Sequence, residues 1–290
     1  MTFFKLTGKG KDVGGLSVTR LLPQAKRRSI GAWCFLDHAG PAEAAEMQVG
    51  AHPHTNLATF TWMLNGEVWH ADSLGSRQCV RPGEINLMVA GTGNARGISH
   101  TEQSAPGAPL HAVQLWIALP TAQDIAPAFH HYPELPAWES DGVRHILLTG
   151  DYQGRRAPTA QFSPLLGVDL RADRDASLTI AIEKNWEYGV LVIDGEVRID
   201  DEVFHADELA FIACERADFR IEAAAGSHFL LLGGEPLAQP VLMWWNFVAD
   251  SCEALRQAVA DWNRGHPRFG SVGWQGETLP RLPAPEMPGG

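Results

Sequence analysis

Two short motifs in this 290-residue chain put metal-ligating side chains at strand spacing: His52-Pro53-His54 and His100-Thr101-Glu102. Residues i and i+2 of a β-strand project from the same face, so each motif aims two ligand atoms in one direction. If both strands line one interior, three imidazoles and one carboxylate converge. Neutral imidazole nitrogen and carboxylate oxygen suit Fe(II), Mn(II), Ni(II), Co(II), Cu(II) or Zn(II), whereas Ca(II) wants an oxygen shell. Four protein ligands around an ion that accepts six leave room for a chelating substrate, for dioxygen, or for both, which marks a catalytic rather than a structural centre. Each motif alone is a weak signal. Their placement strengthens it, one before Asn65-Gly66 and the other after the apolar run 84–88, as expected for neighbouring strands of one small β domain.

The elements that must position these residues are strands. Short runs of Val, Ile, Leu, Trp and Thr separated by Gly, Pro, Asn and Asp predict a sandwich or barrel. Asn65-Gly66 lies between runs 61–64 and 67–69, and Asp194-Gly195 between runs 190–193 and 196–199, predicting two hairpins closed by type I′ turns. An apolar strand follows each at a similar distance, 84–88 and 208–212, so a unit of roughly 125 residues occurs twice. Two tandem β domains, 1–135 and 136–290, follow, joined within the Pro-containing stretch 120–141. The repeat sets Ala181 and Glu183 where the first copy has His52 and His54, and His205 and His228 stand alone, which predicts a metal-free second domain. A helix is expected near the end, with Asp250 capping, Glu253 three residues on, and Leu255, Ala258, Val259 and Trp262 on one face before Gly265 and Pro267 stop it. The tail from Gly276, with Pro280, Pro283, Pro285 and Pro288, reads as extended or disordered.

A formal charge of −11 repels phosphate backbones and anionic lipid headgroups, so neither nucleic acid nor a membrane surface is an expected partner. No stretch reaches the ~20 apolar residues of a membrane span. Residues 1–15 lack the apolar run of a secretory signal, so a soluble, cytoplasmic protein is expected. Cys34, Cys79, Cys214 and Cys252 form no Cys-x-x-Cys pair and read as reduced core thiols. A monomer is expected.

Further segments align with the two motifs: Phe35-Leu36-Asp37-His38-Ala39-Gly40-Pro41, Asp72-Ser73-Leu74-Gly75, Pro82-Gly83-Glu84, Arg96-Gly97-Ile98-Ser99 before His100, Leu110-His111-Ala112-Val113-Gln114-Leu115-Trp116, and Gly234-Glu235-Pro236-Leu237. As an ordered set they resemble the pirin family of the cupin superfamily. The resemblance implies an all-β bicupin, two tandem jelly-roll barrels with a C-terminal helix. It implies that His52, His54, His100 and Glu102 bind one iron, as Fe(II), and that the C-terminal barrel has lost its metal. It also implies two functions of different classes. One is quercetin 2,3-dioxygenase activity on a small flavonol or related enol-bearing aromatic with O2; in that chemistry Glu102, ligand or briefly released base, is the candidate to accept the enol proton. The other is an iron- or redox-sensing protein-interaction module of the transcriptional co-regulator type. A metal-dependent cupin isomerase is a third reading.

The chain departs from the family at Thr55-Asn56-Leu57-Ala58-Thr59, where Arg-Gly-Phe-Glu-Thr is usual, and in extra loop residues around Thr92-Gly93-Asn94-Ala95. Trp33, Trp62, Trp69 and Trp116 are candidates to wall a pocket. His38, His70 and His111 flank the motifs and are candidates to orient a ligand or substrate. Arg96 could attract an anionic substrate.

Overall fold

The computed structural model describes residues 3–213 and 217–288. They form two compact units, each assembled from separate stretches of chain: 11–18, 39–133 and 238–290 in one, and 1–10, 19–38 and 134–237 in the other. Each carries a cupin made of a four-stranded and a seven-stranded antiparallel sheet, with no closed hydrogen-bonded ring among the described strands.

In the N-terminal cupin the four-stranded sheet contains β1 (Gln48–His54), β2 (Val68–Asp72), β3 (Arg77–Val80) and β4 (Ile98–Ser104), in the order β1-β4-β2-β3. In the C-terminal cupin the counterpart contains β5 (Ala176–Ala181), β6 (Glu196–Ile199), β7 (Glu202–His205) and β8 (Asp218–Ala223), in the order β5-β8-β6-β7. The seven-stranded sheet of the first is centred on Leu57–Gly66 and Ala108–Ala118, and that of the second on Glu187–Asp194 and His228–Gly234. Alternate residues of β5, β6 and β8 (Leu178, Ile180, Val197, Ile199, Phe219, Ile221) join Val168, Leu170, Val190 and Leu231 in one buried core. Full burial of each such side chain contributes roughly 1.5–3 kcal/mol.

The two expected hairpins are instead crossings between sheets. Leu57–Gly66 pairs with Ala108–Ala118 and Ile85–Val89, whereas β2 pairs with β4 and β3. Gly66 and Gly195 have φ of 78° and 79°, while Asn65 and Asp194 are not left-handed, so neither turn is type I′. A β-carbon on Gly66 would stand 1.9 Å from the Pro109 carbonyl oxygen, which is why glycine is needed there. The repeat itself is reproduced in detail: Asn65 and Asp194 each accept a hydrogen bond from the following glycine N–H, at 2.9 and 2.8 Å.

The helix and tail, expected with the C-terminal domain 136–290, lie instead in the unit of the N-terminal cupin. Side-chain to backbone bonds explain this: Thr55 Oγ1 and Asn56 Nδ2 donate to the Val248 carbonyl at 3.2 and 2.9 Å, and Ser99 Oγ donates to the Phe269 carbonyl at 2.8 Å. The boundary expected at residue 135 is displaced at the other end too, because Phe3–Thr7 pairs with Glu208–Ile212 in the C-terminal cupin. The helix spans Cys252–Asn263 with the expected buried face, but Ser251 rather than Asp250 is the cap, accepting from the Ala254 N–H at 3.2 Å.

The tail is extended and fastened. Leu282 N–H donates to the Ala51 carbonyl at 2.8 Å, and its own carbonyl accepts from Trp262 Nε1 at 2.7 Å. A parallel bridge between Arg281 and Ala51 sets this segment against the edge of β1. Cys34 and Cys79 are buried thiols as expected, Cys252 is exposed, and Cys214 lies outside the described residues. Among the described residues no helix is long and apolar enough to cross a membrane.

Candidate metal centre

The site is built on β1, β4 and β2 by strand alternation. His52 and His54 share one face of β1, His100 and Glu102 one face of β4, and His70 and Asp72 one face of β2. The pairing register sets His100 opposite both His52 and Asp72, and Glu102 opposite His70. Between His100 and Glu102 the β1–β4 register shifts: His100 faces His52, but Glu102 faces Val49. The extra residue on β1 is a bulge at Gly50–Ala51, a device that re-aims side chains beside sites. The Gly50 carbonyl accepts the His52 Nδ1 hydrogen at 2.8 Å, which leaves the lone pair of His52 on Nε2.

His52, His54 and His100 bring their ligand atoms within 4.8 Å of one another, and all three are buried. His54 Nε2 and His100 Nε2 face each other at 3.0 Å. The rings of His52 and His100 are 4.2 Å apart between centroids, and Trp116 presents an edge-on contact to His54 at 5.0 Å. Burial holds all three imidazoles neutral: His52 is pushed down to about 4, partly offset by its Gly50 hydrogen bond, and His54 and His100 lie well below the ordinary range. Three neutral imidazoles with nitrogens turned toward one point are a donor set that fits a borderline divalent transition metal.

Glu102 falls into a second, overlapping group. Its carboxylate lies within 4.8 Å of ligand atoms of His70 and His100. Burial raises its pKa, and the neighbouring His70 pulls the other way. The structure therefore brings all four predicted ligands to one sheet face and adds His70, one of three histidines flanking the motifs. His70 Nδ1 is 3.2 Å from His100 Nδ1, and its Nε2 is 3.1 Å from Asp72 Oδ2. The sequence signal for this pair was its own i, i+2 spacing, His70-Ala71-Asp72, on the strand that follows Asn65-Gly66.

The other candidates sit elsewhere. His38 pairs with Asp207 at 2.7 Å in the unit of the C-terminal cupin, and His111 lies opposite Asn65 in the seven-stranded sheet. Of the four tryptophans, Trp116 touches a site histidine; Trp33 donates to the Leu166 carbonyl, Trp62 is buried, and Trp69 is partly exposed against Trp274. Arg96 pairs with Asp124 at 2.7 Å. Ala58 is fully buried, and the extra loop is fixed by Gly93 N–H donating to Asn56 Oδ1 and Arg268 donating to the Asn94 carbonyl.

In the C-terminal cupin the corresponding positions are apolar. Ile180 lies opposite Phe219, and Ile199 opposite Ile221, where the first cupin pairs His52 with His100 and His70 with Glu102. Counting by a fixed repeat length points to Ala181 as the partner of His52. The pairing register corrects this to Ile180, and the absence of a second His pair stands.

Comparison with known proteins agrees with this division. The pirin family matches residues 15–117 and the pirin C-terminal cupin domain matches residues 167–270. A Pseudomonas aeruginosa protein named "Putative quercetin 2,3-dioxygenase PA1205" is 46% identical over 98% of this chain and 90% of its own length. A pirin-like protein of Caulobacter vibrioides is 34% identical over 93% of this chain and 96% of its own. The crystal structure of an Acinetobacter baumannii quercetin 2,3-dioxygenase is 40% identical, superimposes with a TM-score of 0.92, and covers 99% of this chain and 96% of that one. With both cupins matched in order and a relative 46% identical over nearly the whole chain, the chain belongs to the pirin family.

Proposed function

We propose that this chain is an iron-dependent dioxygenase that cleaves quercetin or a related flavonol with O2. The observation that carries the reading is the buried cluster of His52, His54 and His100, held neutral on one sheet face, in a chain resembling proteins named for quercetin dioxygenation. These three residues would hold Fe(II), with Glu102 as the fourth ligand from the strand of His100. Manganese, nickel, cobalt, copper and zinc suit the same donors, so availability decides occupancy. When bound, a divalent iron supplies the Lewis acidity that lowers an enol pKa and the redox capacity that dioxygen chemistry needs. Glu102, ligand or briefly released base, accepts the enol proton from its place beside His70 and His100. Trp116, edge-on against His54, supplies an apolar aromatic wall beside the cluster.

The test is metal content of anaerobically purified protein with oxygen uptake on adding quercetin, for wild type and His54→Ala. One iron per chain with metal-dependent uptake in wild type, both lost in His54→Ala, is expected. One iron per chain with no uptake on quercetin or related enols overturns the dioxygenase reading in favour of a protein-interaction module. No bound metal overturns the ligand assignment itself.

A further inference from the structure

We propose that His70 and Asp72 form a positioning relay that fixes the tautomer of His100, so that its Nε2 presents a lone pair to the cluster before any metal arrives. The proposal rests on the ligand assignment above but extends to two residues outside it. Asp72 is buried. Its Oδ1 accepts hydrogen bonds from the backbone N–H groups of Leu74 at 2.9 Å and Ser76 at 3.0 Å. These donors pin the carboxylate and leave Oδ2 free to accept, and the group facing it at 3.1 Å is His70 Nε2. A carboxylate oxygen only accepts, so His70 carries its hydrogen on Nε2. In the neutral imidazole its Nδ1 is then an acceptor, and it faces His100 Nδ1 at 3.2 Å. His100 must therefore carry its hydrogen on Nδ1, which leaves Nε2, the atom facing His54 at 3.0 Å, with the lone pair.

With His70 a neutral imidazole, every link has one allowed direction, because the first oxygen in the line cannot donate. Phe129 stacks on the His70 ring at 4.6 Å between centroids and 19° between planes, which holds the ring in the plane the relay needs. A carboxylate behind a ligating imidazole fixes ring orientation and tautomer and raises ligand basicity, and losing such a partner typically weakens metal binding about 10–100-fold. Here the carboxylate acts through a second imidazole rather than directly. The alternative use of these atoms, a second metal held by His70, His100 and Glu102, requires a lone pair on His70 that the relay already occupies.

The relay is reversible by one atom. In Asp72→Asn the two backbone donors keep the side-chain oxygen, so the amide NH2 faces His70. His70 must then accept at Nε2 and donate from Nδ1, and His100 moves its hydrogen to Nε2, where it blocks the ligand atom. In metal-free protein, ring 15N shifts are expected to report Nδ1–H for His100 in wild type and Nε2–H in Asp72→Asn. Anaerobic Fe(II) titration is expected to show about 10–100-fold weaker binding in Asp72→Asn. His70→Gln, whose amide can donate to Asp72 while its carbonyl accepts from His100, is expected to bind near wild type and keeps the test open if Asp72→Asn does not fold. An Nε2–H His100 in wild type, an unchanged tautomer in Asp72→Asn, or two Fe(II) per chain would each overturn the relay. If wild type takes up no Fe(II), the ligand assignment falls, while the tautomer measurement still decides the relay on its own.

Discussion

Strands β4 and β8 occupy the same place in their four-stranded sheets, yet β4 turns His100 and Glu102 toward the cluster while β8 turns Phe219 and Ile221 into an apolar core. Their neighbours differ the same way, His52 against Ile180 on the one side and His70 against Ile199 on the other. One backbone thus carries either filling. The apolar version is stable by burial alone, since each side chain gains on leaving water. The imidazole version costs free energy to desolvate and recovers it only through hydrogen bonds and a ligand. The bulge at Gly50–Ala51 and the Asp72–His70 relay belong to the polar face, where each supplies a partner to a buried ring nitrogen. The apolar face, with no polar tips to satisfy, keeps an unbroken β5–β8 register.

Emptying the apolar face should have the largest effect. Phe219→Ala should cost about 3–5 kcal/mol by denaturant unfolding, because a fully buried ring leaves a cavity. Metal content should remain at one per chain; loss of both would show that the two fillings are not energetically separate. A smaller effect should come from pH and arise on the polar face. His52 titrates at about 4 when folded against an ordinary value of 6.5, so as pH falls the unfolded chain takes up the proton first. Stability of the metal-free protein should be fully present above pH 6.5 and fall by roughly 3 kcal/mol toward pH 4 from His52 alone. His52→Leu, which imports the apolar filling, should flatten that slope in thermal melts taken across the same range. A steep slope retained in His52→Leu would assign the pH dependence to other groups. The smallest expected change is at the helix on the N-terminal cupin: Ser251→Ala should lower stability by about 1 kcal/mol through loss of the cap, with metal content unmoved.

Much of the site was legible in the chain itself. His52-Pro53-His54 and His100-Thr101-Glu102 announce paired ligands because strand alternation is a local property that survives any tertiary arrangement. The tandem β domains followed from Asn65-Gly66, Asp194-Gly195 and the apolar runs after them. Pairing partners were not legible. The two dipeptides looked like hairpin turns, and only the sheet assignments show that the strands on either side of each belong to different sheets. The tail's prolines suggested an extended or disordered segment, and Leu282 and Arg281 lie extended along β1, because backbone N–H and C=O groups at that strand edge were left to satisfy.

Spacing along the chain dictates which residue types lie two apart on a strand, and hence that two imidazoles, or an imidazole and a carboxylate, must share a face. The tertiary structure alone decided which strands became neighbours and in what register. A slip of one residue turns every side chain to the opposite face, so the count that points to Ala181 and the pairing that gives Ile180 describe opposite sides of one strand. For the same reason the roles of His70 and Asp72 could not be read from spacing. Their direction of hydrogen bonding depends on Leu74, Ser76 and His100 meeting them in space, and on a carboxylate that can only accept.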